Sequence, residues 1–230
     1  MSLPISEVEK RIKLCKSKIN DALCDAGRID EVTLIGAVKT RSKEFIKEVV
    51  DKGLLQDIGD NRVQELIANY NSNLNVKRHF IGRLQTNKVK YIIDKVSLIH
   101  SLDREELAAE IDKQAAKHGL AADCLIEVNV GSELSKGGVE MSEVLSFANE
   151  LKKYSNIRLR GLMSVMPMSV EKDKLIDLYK RFYDKFLQLK QLDGSIDTLS
   201  CGMSGDYEIA VRYGGSTAVR LGRIIFGERE

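Results

Sequence analysis

The sequence has no tryptophan, only two prolines and only three histidines in 230 residues. Its prolines are too few for a Pro-rich linker, and no low-complexity stretch or long linker interrupts it. The four cysteines, Cys15, Cys24, Cys124 and Cys201, form no CxxC pair and read as reduced core thiols. His79, His100 and His118 are scattered without ligand spacing, so no metal site is expected. No apolar run approaches the ~18 residues that cross a bilayer, so no membrane partner is expected. The start, MSLPISEVEKRIK, lacks the apolar core of a secretory signal, and a cytoplasmic location is expected. Thirty-six Lys and Arg against 34 Asp and Glu leave a net charge of +2, without a general pull toward nucleic acid.

What is present is an ordinary soluble balance, 43% hydrophobic and 30% charged, enough to bury a full core. The pattern is a steady alternation of short apolar runs and amphipathic segments. A helix is predicted over 6–26, with Ser6 and Glu9 at capping-box spacing and Gly27 as its stop. Strands are predicted over 32–38, 54–59, 78–82, 96–101, 123–130, 157–165, 198–202 and 217–221. Helices are predicted between them, including 86–95. Eight strand–helix units of about 25 residues each fit a (β/α)8 TIM barrel with a leading N-terminal helix. An open doubly wound sheet is the alternative, since periodicity does not reveal closure. The first strand–helix junction, AVKTRS, lacks the dinucleotide-binding glycines.

In a barrel the chemistry sits at the C-terminal strand ends. Lys39 ends strand one, where a partly dehydrated amine can attack a carbonyl; the alternative is a solvated lysine. Asn61 follows strand two, and Asn129 lies in strand five; each holds a ligand or satisfies loop backbone. Ser204, Gly222 and Arg223 stand after the last two strands, the corner where barrels often bind phosphate; tight turns are the alternative. Arg220 on an apolar strand needs an acceptor, either a ligand or a structural carboxylate. Met163, Met166 and Met168 resemble a soft patch that fills gaps in the core; the alternative is that Met163 lies beneath a flat ligand. Lys77, Arg78, Arg83, Lys88 and Lys90 form a basic run that reads as a solvated face or, alternatively, a nucleic-acid contact.

Six motifs stand in order: AVKT at 37–40, GDNRVQE at 59–65, HFIGRLQTNK at 79–88, RGLM at 160–163, LSCGMSGD at 199–206 and GSTAVRLGRIIFG at 215–227. On these the chain resembles the YggS/PROSC-type pyridoxal phosphate homeostasis proteins, which are similar to the barrel domain of alanine racemase. The resemblance spans nearly the whole chain and implies one alanine-racemase-like barrel domain over 1–230. It implies that Lys39 forms a Schiff base with pyridoxal 5′-phosphate (PLP) and that Ser204 binds its phosphate. It further implies that the amides of Gly222 and Arg223 help hold that phosphate, that Arg220 faces the pyridine nitrogen and that Asn61 lies near the ring. An arginine there favours an unprotonated ring, a weaker electron sink.

The resemblance also implies a carrier in vitamin B6 and amino-acid homeostasis, without established turnover. Apo PLP-dependent enzymes are the expected recipients, and a monomer is the expected state. The alternative is a weak racemase or related enzyme, although alanine racemase takes its second base from a further β-domain, which this chain is not expected to carry. The chain departs from the family at Val38 before the lysine, at Ile58 and Asp60 in place of Phe and Glu, and at Cys201. Asp60 and Cys201 are expected to tune affinity or pocket reactivity.

Overall fold

The computed structural model describes residues 3–131, 137–167 and 170–228. Helix α1 (Ile5–Asp25) buries Val8, Ile12, Cys15, Ile19, Ala22 and Leu23. It starts on Pro4, so Ser6 falls inside the first turn and the expected capping box does not form. Its end is a Schellman turn, in which Arg28 N–H reaches the Leu23 carbonyl and Gly27 N–H the Cys24 carbonyl. Gly27 takes a φ of +64°, which suits glycine.

The strands are β1 (Thr33–Ala37), β2 (Asp57–Asp60), β3 (Lys77–Phe80), β4 (Leu98–Leu102), β5 (Ala122–Asn129), β6 (Val139–Glu140), β7 (Ile157–Met163), β8 (Thr198–Ser200) and β9 (Ala218–Leu221). The helices that follow α1 are α2 (Lys43–Asp51), α3 (Val63–Asn69), α4 (Glu105–Lys117), α5 (Val144–Leu151), α6 (Lys172–Leu192), α7 (Tyr207–Gly214) and α8 (Arg223–Phe226). The ring runs β1–β2–β3–β4–β5–β7–β8–β9, entirely parallel. Pairing of Thr33 to Gly36 with Ala218 to Leu221 closes it, which excludes the open sheet. The short β6 lies outside the ring on β5, where Val128 faces Val139. The ring and its intervening helices make the expected (β/α)8 barrel with a leading helix. No helix among the described residues is long and apolar enough to cross a membrane.

One predicted helix changes type. Residues Thr86–Tyr91 form a 3-10 turn and the predicted remainder to 95 is irregular. Val89 and Ile92 both enter the core, and a three-residue turn stacks positions i and i+3 on one face.

Two apolar clusters fill the shell between strands and helices. A third, much smaller, consists of Leu98, Leu125 and Met163 with Val165, inside the ring. The rest of the lumen departs from the branched aliphatic layers usual in such barrels. His79, His100, Ser200 and Arg220 are all buried there.

Candidate functional site

The C-terminal mouth of the barrel gathers the strand ends. Val38 N–H still donates to the Gly59 carbonyl, so Lys39 is the first residue beyond the β1 ladder. Thr40 follows with a φ of +63°, a rare conformation for a β-branched residue and a strained bend beside Lys39. Asn61 follows β2, and its Oδ1 is buried without a hydrogen-bond partner among the described residues. Its carbonyl lies against Gly82 of the HFIG segment, where an added Cβ would sit 2.1 Å from that oxygen.

The loops after β8 and β9 are joined. Ser204 Oγ accepts from Ile224 N–H at 3.3 Å. Gly222 caps α8, Arg223 is its first residue, and a Cβ on Gly222 would lie 3.3 Å from the Ala37 Cβ and carbonyl oxygen of β1. Asp206 shapes the Ser204 loop, because its carboxylate accepts from Met203 N–H at 2.6 Å and from the Tyr179 hydroxyl at 2.7 Å. Helix amides without intrahelical partners, beside a hydroxyl, suit an anion.

Arg220 is inside the ring, and its partners are not the carboxylate weighed above. Nη1 donates to the Ser200 carbonyl at 2.9 Å and to Ser200 Oγ at 2.6 Å, and Nη2 donates to the Ser164 carbonyl at 2.9 Å. Burial lowers the pKa of Arg220. Glu127 on β5 is raised by burial first and by Asp103 second, while Arg220 and Arg83 pull it down.

Several expected groupings come apart. Met163 lies within the lumen cluster, Met166 lies in the outer shell, and Met168 is outside the described residues. Asn129 Nδ2 donates to Glu140 of β6 at 3.3 Å. Arg78 leaves the basic run, since it is buried and donates to the carbonyls of Leu66 and Asn69. Cys201 alternates away from the lumen into the shell, and burial pushes its thiol up to about 12. A buried, protonated thiol in the shell does not supply the pocket reactivity expected of it.

Asp60 also faces outward, 3.3 Å from Arg78, yet neither carboxylate oxygen makes an aligned hydrogen bond among the described residues. Burial first, then Glu65, pushes its pKa from 3.8 to about 6, against the pull of Arg78. The folded state therefore holds this proton more tightly than the unfolded chain. Its contribution is fully present below pH 3.8 and is lost as pH rises through about 6. The loss amounts to about 3 kcal/mol. Urea midpoints of wild type measured against Asp60→Asn between pH 4 and 7 are expected to fall with rising pH. Parallel curves would contradict this.

Sequence reasoning missed Glu127, His79 and His100. The two imidazole rings lie edge to face with centroids 5.2 Å apart. The available signal was parity, since His79 opens the HFIG motif and His100 sits mid-strand among apolar neighbours.

A parallel barrel with a lysine at the end of its first strand and a hydroxyl–amide clasp after its last two defines an alanine-racemase-type barrel. Residues 28–230 match the family described as alanine racemase, N-terminal domain. The pyridoxal phosphate homeostasis protein of Aquifex aeolicus is 40% identical over 225 residues, covering 96% of this chain and 98% of that one. That of Vibrio cholerae is 33% identical, covering 97% of each. The chain belongs to the YggS/PROSC family of pyridoxal phosphate homeostasis proteins, within the alanine racemase N-terminal domain fold. Among solved structures, PipY of Synechococcus elongatus with PLP bound has a TM-score of 0.82 at 25% identity, covering 96% of this chain and 100% of that one. Alanine racemase of Clostridium difficile has a TM-score of 0.70 at 17% identity, with 96% of this chain and 56% of that one covered, and shares the fold alone.

Proposed function

We propose that this chain holds PLP covalently through Lys39 and acts as a carrier that shields the cofactor and hands it to apo-enzymes. The observation that supports this most is the meeting of three features at one barrel mouth: Lys39, the unpartnered Asn61 Oδ1 and the Ser204–Ile224 clasp. The residues fit the group. In this reading the Ser204 hydroxyl and the Gly222 and Arg223 amides hold the phosphate, and Asn61 lies at the ring. Arg220 faces the ring nitrogen and keeps its own protons, and Met163 forms part of the floor. When bound, the cofactor supplies a reactive aldehyde and an electron-withdrawing ring. The protein's own part is to position it and to keep stray amines away. Residues 1–230 act in this reading as one cofactor-binding domain in the cytoplasm.

Purified protein mixed with PLP is expected to gain a visible absorption band and, after borohydride, a mass increase on the peptide containing Lys39. Lys39→Ala is expected to lose both while melting as a folded protein. Loading is also expected to raise the melting temperature, because ligand at 100 times its Kd adds about 2.7 kcal/mol. An equal adduct on Lys39→Ala would overturn the covalent reading. Failure of loaded protein to reactivate a PLP-dependent apo-enzyme would overturn the carrier role.

A further inference from the structure

A line of hydrogen bonds crosses the lumen from floor to mouth. Asp57 Oδ1 lies 2.9 Å from His79 Nε2. His79 Nδ1 lies 3.0 Å from His100 Nε2, and His100 Nδ1 lies 3.0 Å from Ser200 Oγ. Arg220 Nη1 donates into that same Ser200 oxygen. The five side chains come from β2, β3, β4, β8 and β9. Asp57 is the only half-buried member, and it opens onto a groove that Lys16, Asn20, Arg28 and Gln56 also line.

The direction of the hydrogens follows from donor and acceptor counting. A carboxylate only accepts, so His79 presents Nε2–H to Asp57. Burial first, then His79 and Arg220, holds His100 well below the usual imidazole range, so it carries one hydrogen. Ser200 Oγ accepts from Arg220, so its own hydroxyl hydrogen goes to His100 Nδ1, which leaves His100 Nε2 to donate to His79 Nδ1. Every hydrogen points from Arg220 toward Asp57, and aligned hydrogen bonds polarise one another.

We propose that Asp57, His79, His100 and Ser200 are positioning residues that act as one polarised chain, tying the carboxylate on the barrel floor to the guanidinium at the cofactor ring. The link to the ring rests on the reading of Arg220 above. The chain itself does not depend on that reading. Arg220 also feels Glu127 from β5, Asp206 from the Ser204 loop, Tyr179 from α6 and Cys201 after β8, and all four stay in place in the variants below.

The chain is tested first without cofactor, by histidine side-chain 15N spectra of the wild type and of Asp57→Asn, a near-isosteric change at a half-buried site. Both His79 and His100 are expected as Nε2–H tautomers in the wild type, with that preference lost at both rings in Asp57→Asn. An Nδ1–H tautomer at His100 in the wild type, or a His100 signal indifferent to Asp57→Asn, overturns the chain. The link is then tested on PLP-loaded protein. Asp57→Asn removes an anion coupled to the cofactor pocket, so the pH midpoint of the visible band is expected to move down. His79→Leu keeps that anion but cuts the chain, and the same downward shift is expected. A merely structural role would lower the melting temperature and leave the midpoint in place, which overturns the link. If wild type forms no band, the cofactor reading fails and the link fails with it, while the 15N spectra decide the chain by themselves.

Discussion

Gly161→Ala is expected to leave little or no cooperatively folded barrel. Gly161 lies opposite Thr198 in the β7–β8 ladder with a φ of +149°. A Cβ there would sit 1.9 Å from the Thr198 carbonyl oxygen and 2.8 Å from its carbonyl carbon. Both atoms are backbone, so no rotamer change relieves the clash. The strands must separate, and the Asp197 N–H to Arg160 carbonyl bond beside them must stretch or break. The cost is expected above about 4 kcal/mol, a large share of the ~5–15 kcal/mol that holds a typical domain. The damage also reaches the site, because β8 carries Ser200 and leads into the Ser204 loop. Thermal melts followed by circular dichroism check this, with Gly194→Ala as the companion variant. Gly194 has open space around its Cβ position, so that variant is expected to melt like the wild type. A wild-type melt for Gly161→Ala would mean that the β7–β8 register is wrong.

The second large effect is expected at Asp206. Its carboxylate accepts from a backbone amide within the Ser204 loop and from Tyr179, which is fully buried. Asp206→Ala leaves that phenol without an acceptor and the Met203 amide without its tie. Unsatisfied buried groups cost about 1–3 kcal/mol each, so a loss of about 2–4 kcal/mol is expected. For a chain of this size that lowers the melting temperature by about 5–15 °C. The affinity for PLP is expected to fall as well, because the hydroxyl of Ser204 loses its fixed position. Asp206→Ala with Tyr179→Phe removes the orphaned phenol and is expected to recover part of the stability without recovering the affinity. If the double variant binds PLP like the wild type, the loop does not depend on Asp206.

The barrel was legible because parallel strands are buried on both faces and stand out as short apolar runs. Val32 to Val38 is one such run, and β1 falls within it. Closure was not legible, since it depends on β9 meeting β1 across the whole chain. Lys39, Ser204 and Gly222 could be picked from strand ends alone, because position along a strand is a local property. Sidedness was harder. Cys201 and Asp60 sit in site motifs but face the shell, and one residue of register decides that. His79 and His100 were set aside as scattered for the same reason. They are 21 residues apart in the chain and 3.0 Å apart in the lumen. The 86–95 segment failed differently, because its apolar residues fit two helical periods and only the packing chose the tighter one.

The bond between Ser204 and the Ile224 amide gives the mouth a resting shape of its own. Two loops from different strands already meet there, so the phosphate of the proposed guest would find its frame assembled and little ordering left to be done. In reverse, departure of the guest would leave the Ser204 hydroxyl on the Ile224 amide and the two loops still joined. Arrival and departure then differ little in the rearrangement they demand of the host. An enzyme that keeps its cofactor for life gains nothing from that symmetry, whereas the carrier proposed above would use it at every exchange.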